Sequence, residues 1–248
     1  MSHGTKVRNL PQCASRCGQH VKKVHLCIMR NRPGPSLPVL ERPLVVGLTG
    51  GMAAGKSTVT RMLEVLGAAV WRADDAAKGL YATDARLRGD VVAAFGNAVA
   101  VCNAKGVPVD IDRAKLSARV FGDPDALQTL ERLVHPAVAA SFQRWRGELA
   151  PDVSLVVREA AILFESGADR DCDLVVTVEA PEELRIKRAL ARDTTHSLTR
   201  QDVEARMARQ WTREARVARA DVVVENDGRP LLPQVLQLLD AILPRRNP

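Results

Sequence analysis

The chain has 248 residues, is 46% hydrophobic and only 3% aromatic, and carries a formal charge of +7. That length suits one α/β domain with insertions. Scarce aromatics argue against a base-stacking nucleic-acid surface, and no run approaches the ~18 apolar residues of a membrane span. The charge is local: seven of the 36 basic side chains and none of the 29 acids lie in residues 1–40, so residues 41–248 are formally neutral. The basic composition therefore does not point to a nucleic-acid partner.

Residues 1–42 read as a basic extension, poorly ordered and dispensable for chemistry. They hold Cys13, Cys17, Cys27, His20 and His25, at spacings that match no standard zinc pattern. The apolar piece Val24 to Met29 is too short for a secretory signal and is interrupted by His25. An acid-free basic segment of this kind is either a transit peptide or translated upstream sequence. The run Arg32-Pro33-Gly34-Pro35-Ser36-Leu37-Pro38 is an extended linker. Cys102 and Cys172 stand alone in the body, which fits a reducing, cytoplasmic setting rather than a disulfide framework.

The body, residues 43–248, opens on Leu44, Val45, Val46 and Leu48, a short buried-strand pattern. Gly50-x-x-x-x-Gly55-Lys56-Ser57 follows, with the P-loop spacing between a strand and a helix. Its loop, Gly51-Met52-Ala53-Ala54-Gly55, has small residues that leave backbone N–H groups free to surround a polyphosphate. Lys56 suits the β/γ-phosphates, and the Ser57 hydroxyl, beside Thr58, suits Mg²⁺.

The helix from Lys56 to Leu66 ends at Gly67, and Ala68 to Trp71 is a second strand. Asp74 and Asp75 then stand at the carboxyl end of that strand, where open α/β sheets bind ligands; Asp74 also serves as a helix cap. Residues 84–150 read as helices around a loop from Gly96 to Val109, with caps at Asp112 and Asp123. His135-Pro136 is expected to end one helix and open the next.

Val153 to Val157 is a third strand, with Glu159 at its end as a Mg²⁺-side carboxylate. Leu174 to Val178 is a fourth, followed by a helix to Arg192 that carries Arg185 and Arg188. Thr199 caps an Arg-rich helical stretch through Arg206, Gln210 and Arg219. Those arginines face either solvent, paired with Asp202, Glu204 and Glu214, or the transferred phosphate. Asp221 to Glu225 is a fifth strand, Asn226-Asp227-Gly228 a turn, and Leu231 to Leu243 a closing helix. The expected fold is a doubly wound, five-stranded parallel sheet of P-loop kinase type. A helical insertion at about 78–150 would receive the acceptor, and an Arg-rich arm at about 193–219 would form a lid.

With these pieces placed, residues 43–248 resemble the dephospho-coenzyme A kinase family of P-loop kinases. The resemblance rests on Gly47 to Gly51, Gly55 to Thr58, Ala73-Asp74, His135-Pro136 and Leu163-Phe164-Glu165. It continues through Arg188 to Asp193, Arg206 to Gln210, Thr212 to Arg216 and Glu225 to Gly228. It implies ATP-dependent phosphorylation of the ribose 3′-hydroxyl of dephospho-CoA, with Mg²⁺, by a cytoplasmic monomer or weak homo-oligomer. Asp74 would then accept or orient the hydroxyl proton, with Lys56 and Arg192 on the phosphates. His135 and Arg188 would serve the acceptor, and Asn226 and Gly228 would pack near the adenine of ATP.

The chain departs from the family pattern at Arg72, where an acid is usual, and at Ala53, Ala54, Ala161 and Glu159. A tight Arg72–Asp74 pair would weaken the base, and Ala53 fits the loop only with negative φ or with some strain. A kinase with another acceptor remains an alternative, as does a non-catalytic nucleotide-binding module. A GTPase does not, because Asn103-Ala104-Lys105-Gly106 lacks the guanine-reading Asp.

Overall fold

The computed structural model describes residues 27–28, 42–194 and 197–243. Its central sheet is built from β1 (Cys27–Ile28), β2 (Leu44–Gly50) and β3 (Ala69–Arg72), then β6 (Leu155–Glu159), β7 (Leu174–Glu179) and β8 (Val222–Glu225). Between them, β4 (Ala100–Cys102) and β5 (Pro108–Ile111) pair separately as an antiparallel ribbon. The sheet order is β1-β8-β7-β2-β6-β3. All neighbours are parallel except β1, which pairs antiparallel with the edge of β8. The five-stranded parallel sheet expected from the sequence is therefore present, with a two-residue strand added at its edge.

β2 is central because all seven of its residues are buried, between β6 on one side and β7 on the other. The chain leaves β2 for β3 and returns through β6, then crosses to β7. The crevice outside the carboxyl end of β2 is thus the switch point where such sheets bind ligands.

Helices α1 (Lys56–Val65) and α9 (Leu231–Ile242) cover one face, through Val59, Leu63, Val235 and Leu238. On the other face, Phe142 packs with Trp71, Val45, Val156 and Leu163. A third core lies inside the insertion, where α2 (Ala73–Thr83), α3 (Ala85–Phe95) and α4 (Arg113–Val120) bring together Leu80, Leu87, Val91 and Leu116. A small fourth core joins α6 (Glu182–Arg192) to α7 (Arg200–Met207) through Ile186, Ala189 and Val203. The last helix of that arm is α8 (Arg213–Arg219).

Three local expectations change, and a fourth lies outside the described residues. The stretch Gly96 to Val109 contains most of the β4–β5 ribbon rather than a plain loop. His135-Pro136 does not divide a helix: α5 runs unbroken from Pro124 to Gly147. Pro136 removes one backbone donor, but α5 carries Leu130, Leu133 and Val134 into the insertion core and Phe142 into the sheet core. One continuous rod serves both. Asp74 is not a cap: Arg72 occupies the N-cap of α2 without a side-chain bond, and Asp74 lies in the first turn. There it benefits from the positive end of the helix dipole. Finally, the expectation of poor order over residues 1–42, and the cysteine-histidine cluster within it, fall outside the described residues, apart from the backbone pairing at 27–28 and Arg42. The Arg42 guanidinium pairs with Asp173 at 2.6 Å.

Phe142 is fully buried and touches both Trp71 and Trp145. Phe142→Ala should lower the unfolding free energy by about 3–5 kcal/mol, read as a lower urea midpoint by circular dichroism.

Candidate active site

The turn after β2 is shaped by close backbone approach. Gly50 has φ 145°, and a Cβ there would overlap the Val178 carbonyl. Gly55 has φ 104° and forms the N-cap of α1; a Cβ there would overlap the Asn226 side chain. Ala53 lies at φ 57° and is the only non-glycine with positive φ among the described residues. The loop has therefore kept its left-handed turn and taken the strained alternative, at a cost of about 1–2 kcal/mol.

Asn226 fastens this turn from below. It is 8% exposed and donates from Nδ2 to the Ala54 carbonyl at 2.7 Å. Arg188 in turn donates to the Asn226 carbonyl at 3.3 Å and to its Oδ1 at 3.1 Å. Arg188 thus braces the nucleotide loop through Asn226. Gly228 closes the following turn at φ 109°.

Lys56 reaches back over the loop, with Nζ 2.9 Å from the Gly50 carbonyl and 3.4 Å from that of Gly51. Burial lowers its pKa, against the nearby charges of Glu159 and Asp74, which raise it. Those couplings bring Lys56, Glu159 and Asp74 to one place. Ser57 and Thr58 are exposed at the start of α1.

Arg72 does not pair with Asp74. Its Nη2 lies 3.0 Å from Glu64 Oε2 and its Nε 3.7 Å from Glu159 Oε2. The Glu159 Oε2 atom is buried and accepts no hydrogen bond. A buried carboxylate oxygen that accepts no hydrogen bond is suited to a hard divalent cation, as is the exposed Ser57 hydroxyl at the start of α1. Among the described residues no three His, Cys, Asp or Glu side chains converge on a metal position. Such an ion would therefore complete its shell with phosphate and water oxygens, as Mg²⁺ commonly does.

Two clefts hold the expected site residues outside the loop. One, of about 360 Å³, is lined by Asp74, His135, Pro136, Arg158, Ser166 and Asp171, with apolar walls from Ala77, Val138 and Ala139. The other, of about 340 Å³, is lined by Met52, Ala53, Arg192, Leu198 and Arg206. Asp74 and His135 thus share the first cleft, and Arg192 lines the second beside Met52 and Ala53 of the loop.

Several residues here were either named from the sequence without a partner, as Gln210, Arg185 and Arg216 were, or not singled out, as with Trp211 and Arg158. Gln210 accepts from the Met52 N–H at 2.7 Å and donates to the Ala161 carbonyl at 3.1 Å, joining the nucleotide loop to the 161–167 turn. Trp211 stacks on Phe164 at 5.3 Å, and its N–H donates to Glu165 at 2.9 Å. Arg216 is buried and forms two 2.7 Å bonds to Glu179. Arg185 is buried beside Gly51, where burial lowers its pKa first and the neighbouring Arg216 charge second. Arg158 is 2% exposed at the floor of the first cleft. The available signal was the Arg-rich composition of α6 to α8, which does not separate buried arginines from solvated ones.

Comparison with known proteins follows this geometry. A family model described as dephospho-CoA kinase matches residues 44–231. A protein of Chlorobium chlorochromatii named dephospho-CoA kinase is 41% identical over 204 residues, covering 81% of this chain and 94% of its own. One of Deinococcus radiodurans with the same name is 39% identical over 201 residues, covering 81% and 91%. A crystal structure from Thermus thermophilus superimposes with TM-score 0.68 at 32% identity, covering 84% of this chain and 100% of its own. The dephospho-CoA kinase from Campylobacter jejuni gives TM-score 0.57 at 25% identity, covering 80% and 96%.

Replacing Ala53 with glycine should relieve the left-handed strain but add unfolded-state entropy. Ala53→Gly is expected to raise stability by about 0.5–1 kcal/mol, seen as a higher melting temperature by calorimetry.

Proposed function

The chain belongs to the dephospho-CoA kinase family, which catalyses ATP-dependent phosphorylation of dephospho-CoA to CoA, the last step of CoA biosynthesis; from that premise, we propose how its residues divide the work. Asp74 is the group that accepts or orients the acceptor hydroxyl proton. The observation that carries this assignment is its place: it lines the 360 Å³ cleft with His135 and is coupled electrically to Lys56 of the P-loop. Arg72 is directed to Glu64 and Glu159, which leaves Asp74 unneutralised by that cation.

The backbone of Gly51, Met52, Ala53, Ala54 and Gly55, with Lys56, Ser57 and Thr58, holds the ATP polyphosphate. Arg192, beside Met52 and Ala53 in the second cleft, offsets charge on the transferred group. Asn226 and Gly228 support the nucleotide side, the former by holding the Ala54 carbonyl. Arg188 acts through Asn226, so its substrate role is indirect. Mg²⁺ held by Ser57 and Glu159 would supply compensation for the negative charge of the polyphosphate. The insertion at about 78–150 forms the acceptor side, and the arm at about 193–219 is the lid.

We assign the enzyme to the cytoplasm as a monomer or weak homo-oligomer acting on small molecules alone, without nucleic-acid or membrane partners. Supporting this, residues 41–248 are formally neutral and Cys102 and Cys172 are free thiols. Burial pushes the Cys172 thiol up to about 12, which makes it inert. No helix among the described residues is long and apolar enough to cross a membrane.

The test is ADP release by the full chain with and without dephospho-CoA. Asp74→Asn should reduce acceptor-dependent kcat by about 10²–10⁴-fold while ATP binding persists; near-normal turnover would remove Asp74 from the mechanism. In a separate assay, chelation with EDTA should abolish turnover and added Mg²⁺ restore it. Persistent turnover in metal-free buffer would overturn the assignment of Ser57 and Glu159.

A further inference from the structure

Arg158 is a charged residue in an unusual place. It lies on β6 with its side chain 3% exposed, in the floor of the cleft that holds Asp74 and His135. Its guanidinium carbon sits 4.5 Å from the centroid of Phe142 and 5.7 Å from that of Trp71. These faces orient the planar fork and offset part of its desolvation. Nη1 donates to Asp171 Oδ2 at 3.0 Å and to the Ala168 carbonyl at 3.3 Å. Nε is buried without a hydrogen-bond partner. A guanidinium has five N–H donors, and among the described residues only those on Nη1 have partners. Asp171, 45% exposed in its side chain, likewise uses one oxygen on Arg158 and has the other to spare.

Nε is too buried to meet a ligand, which leaves the Nη2 donors, and Arg158 and Asp171 both line a cleft whose other walls are Ala77, Val138, Ala139 and Pro136. Charge narrows the ligand. The cleft carries two carboxylates, Asp74 and Asp171, against one guanidinium, Arg158, which is already paired with Asp171. A diphosphate would meet net repulsion there. A neutral planar heterocycle would not: apolar walls cover its faces, and its edge offers ring nitrogens as acceptors and an exocyclic amine as donor.

We propose that the Arg158–Asp171 pair reads the purine of the acceptor, Arg158 donating to a ring nitrogen and Asp171 accepting from the 6-amino group. This rests on the reading of the Asp74 cleft as the acceptor site. Arg158 and Asp171 are then specificity-determining residues, distant in sequence from the P-loop and independent of ATP binding. A 6-oxo purine reverses the demand at position 6, because its oxygen faces the Asp171 carboxylate.

The experiment compares dephospho-CoA with its hypoxanthine counterpart in the full-length enzyme, measuring kcat and KM for each acceptor and KM for ATP. The wild type should prefer the adenine acceptor by tenfold or more in kcat/KM. Asp171→Asn, whose amide can donate to an oxo group, should shrink that preference severalfold. Arg158→Lys, which keeps the charge and loses the fork, should raise acceptor KM about tenfold with ATP KM unchanged. Arg158→Met tests the same point but can disturb the aromatic stack, so melting temperature is measured alongside, and the half-exposed Asp171 carries the test if Arg158 variants unfold. An unchanged base preference in Asp171→Asn, with normal acceptor KM in a folded Arg158→Lys, would overturn the proposal. If Asp74→Asn kept full turnover, the cleft itself would have been misassigned. Loss of turnover in Asp74→Asn with unaltered base preference in Asp171→Asn would overturn only the purine reading.

Discussion

Glu179 stands at the carboxyl end of β7 with no exposure at all, and a charge so placed persists only if it is paired and hydrogen-bonded. Arg216 supplies two bonds of 2.7 Å and the Thr177 hydroxyl a third of 2.7 Å. The same guanidinium donates to the Trp211 carbonyl. One buried carboxylate thereby determines where α8 lies, and with it the two residues just ahead of α8, Gln210 and Trp211. Those two reach the nucleotide loop at Met52 and the 161–167 turn at Ala161 and Glu165. Removing one partner of such a pair leaves an uncompensated interior charge, which costs about 3–5 kcal/mol. The sheet edge, the arm and both loops therefore stand or fall together.

The elements around the P-loop were legible because their causes are local. A run of buried aliphatics, glycines where backbone approaches backbone, and a helix beginning at Lys56 all occupy adjacent positions. What was illegible depended on distant partners. Arg206 and Arg216 look alike in sequence, yet one lines a cleft and the other is buried on a carboxylate 37 positions away. The destination of Arg72 was open for the same reason: Glu64 and Glu159 come to it only through helix α1 and the β3–β6 register. The β4–β5 ribbon escaped notice because its strands are only three and four residues long and Gly106, Val107 and Pro108, at their junction, read as a turn. Pro136 obeyed a reliable local rule that packing overrode, since two separate cores pull on the same helix.

That helix also explains how the insertion can be a body of its own and still address the site. Its core around Leu80, Leu87 and Leu116 shares no buried residue with the sheet cores. α2 leaves β3 directly at Asp74, and α5 crosses back over Phe142. The two connections converge on one cleft, so a displacement of the insertion is a displacement of Asp74 and His135 relative to Lys56.

The bond between the Met52 amide and Gln210 has a different kind of consequence. Met52 belongs to the P-loop and Gln210 to the link between α7 and α8, 158 positions later. No element of regular structure protects this amide; its partner is one side chain carried by the arm. Its exchange with deuterated solvent is thus gated by departure of the arm rather than by unfolding of the sheet. A single backbone proton in the nucleotide loop becomes a clock for a motion of the α7–α8 link, readable without any substitution.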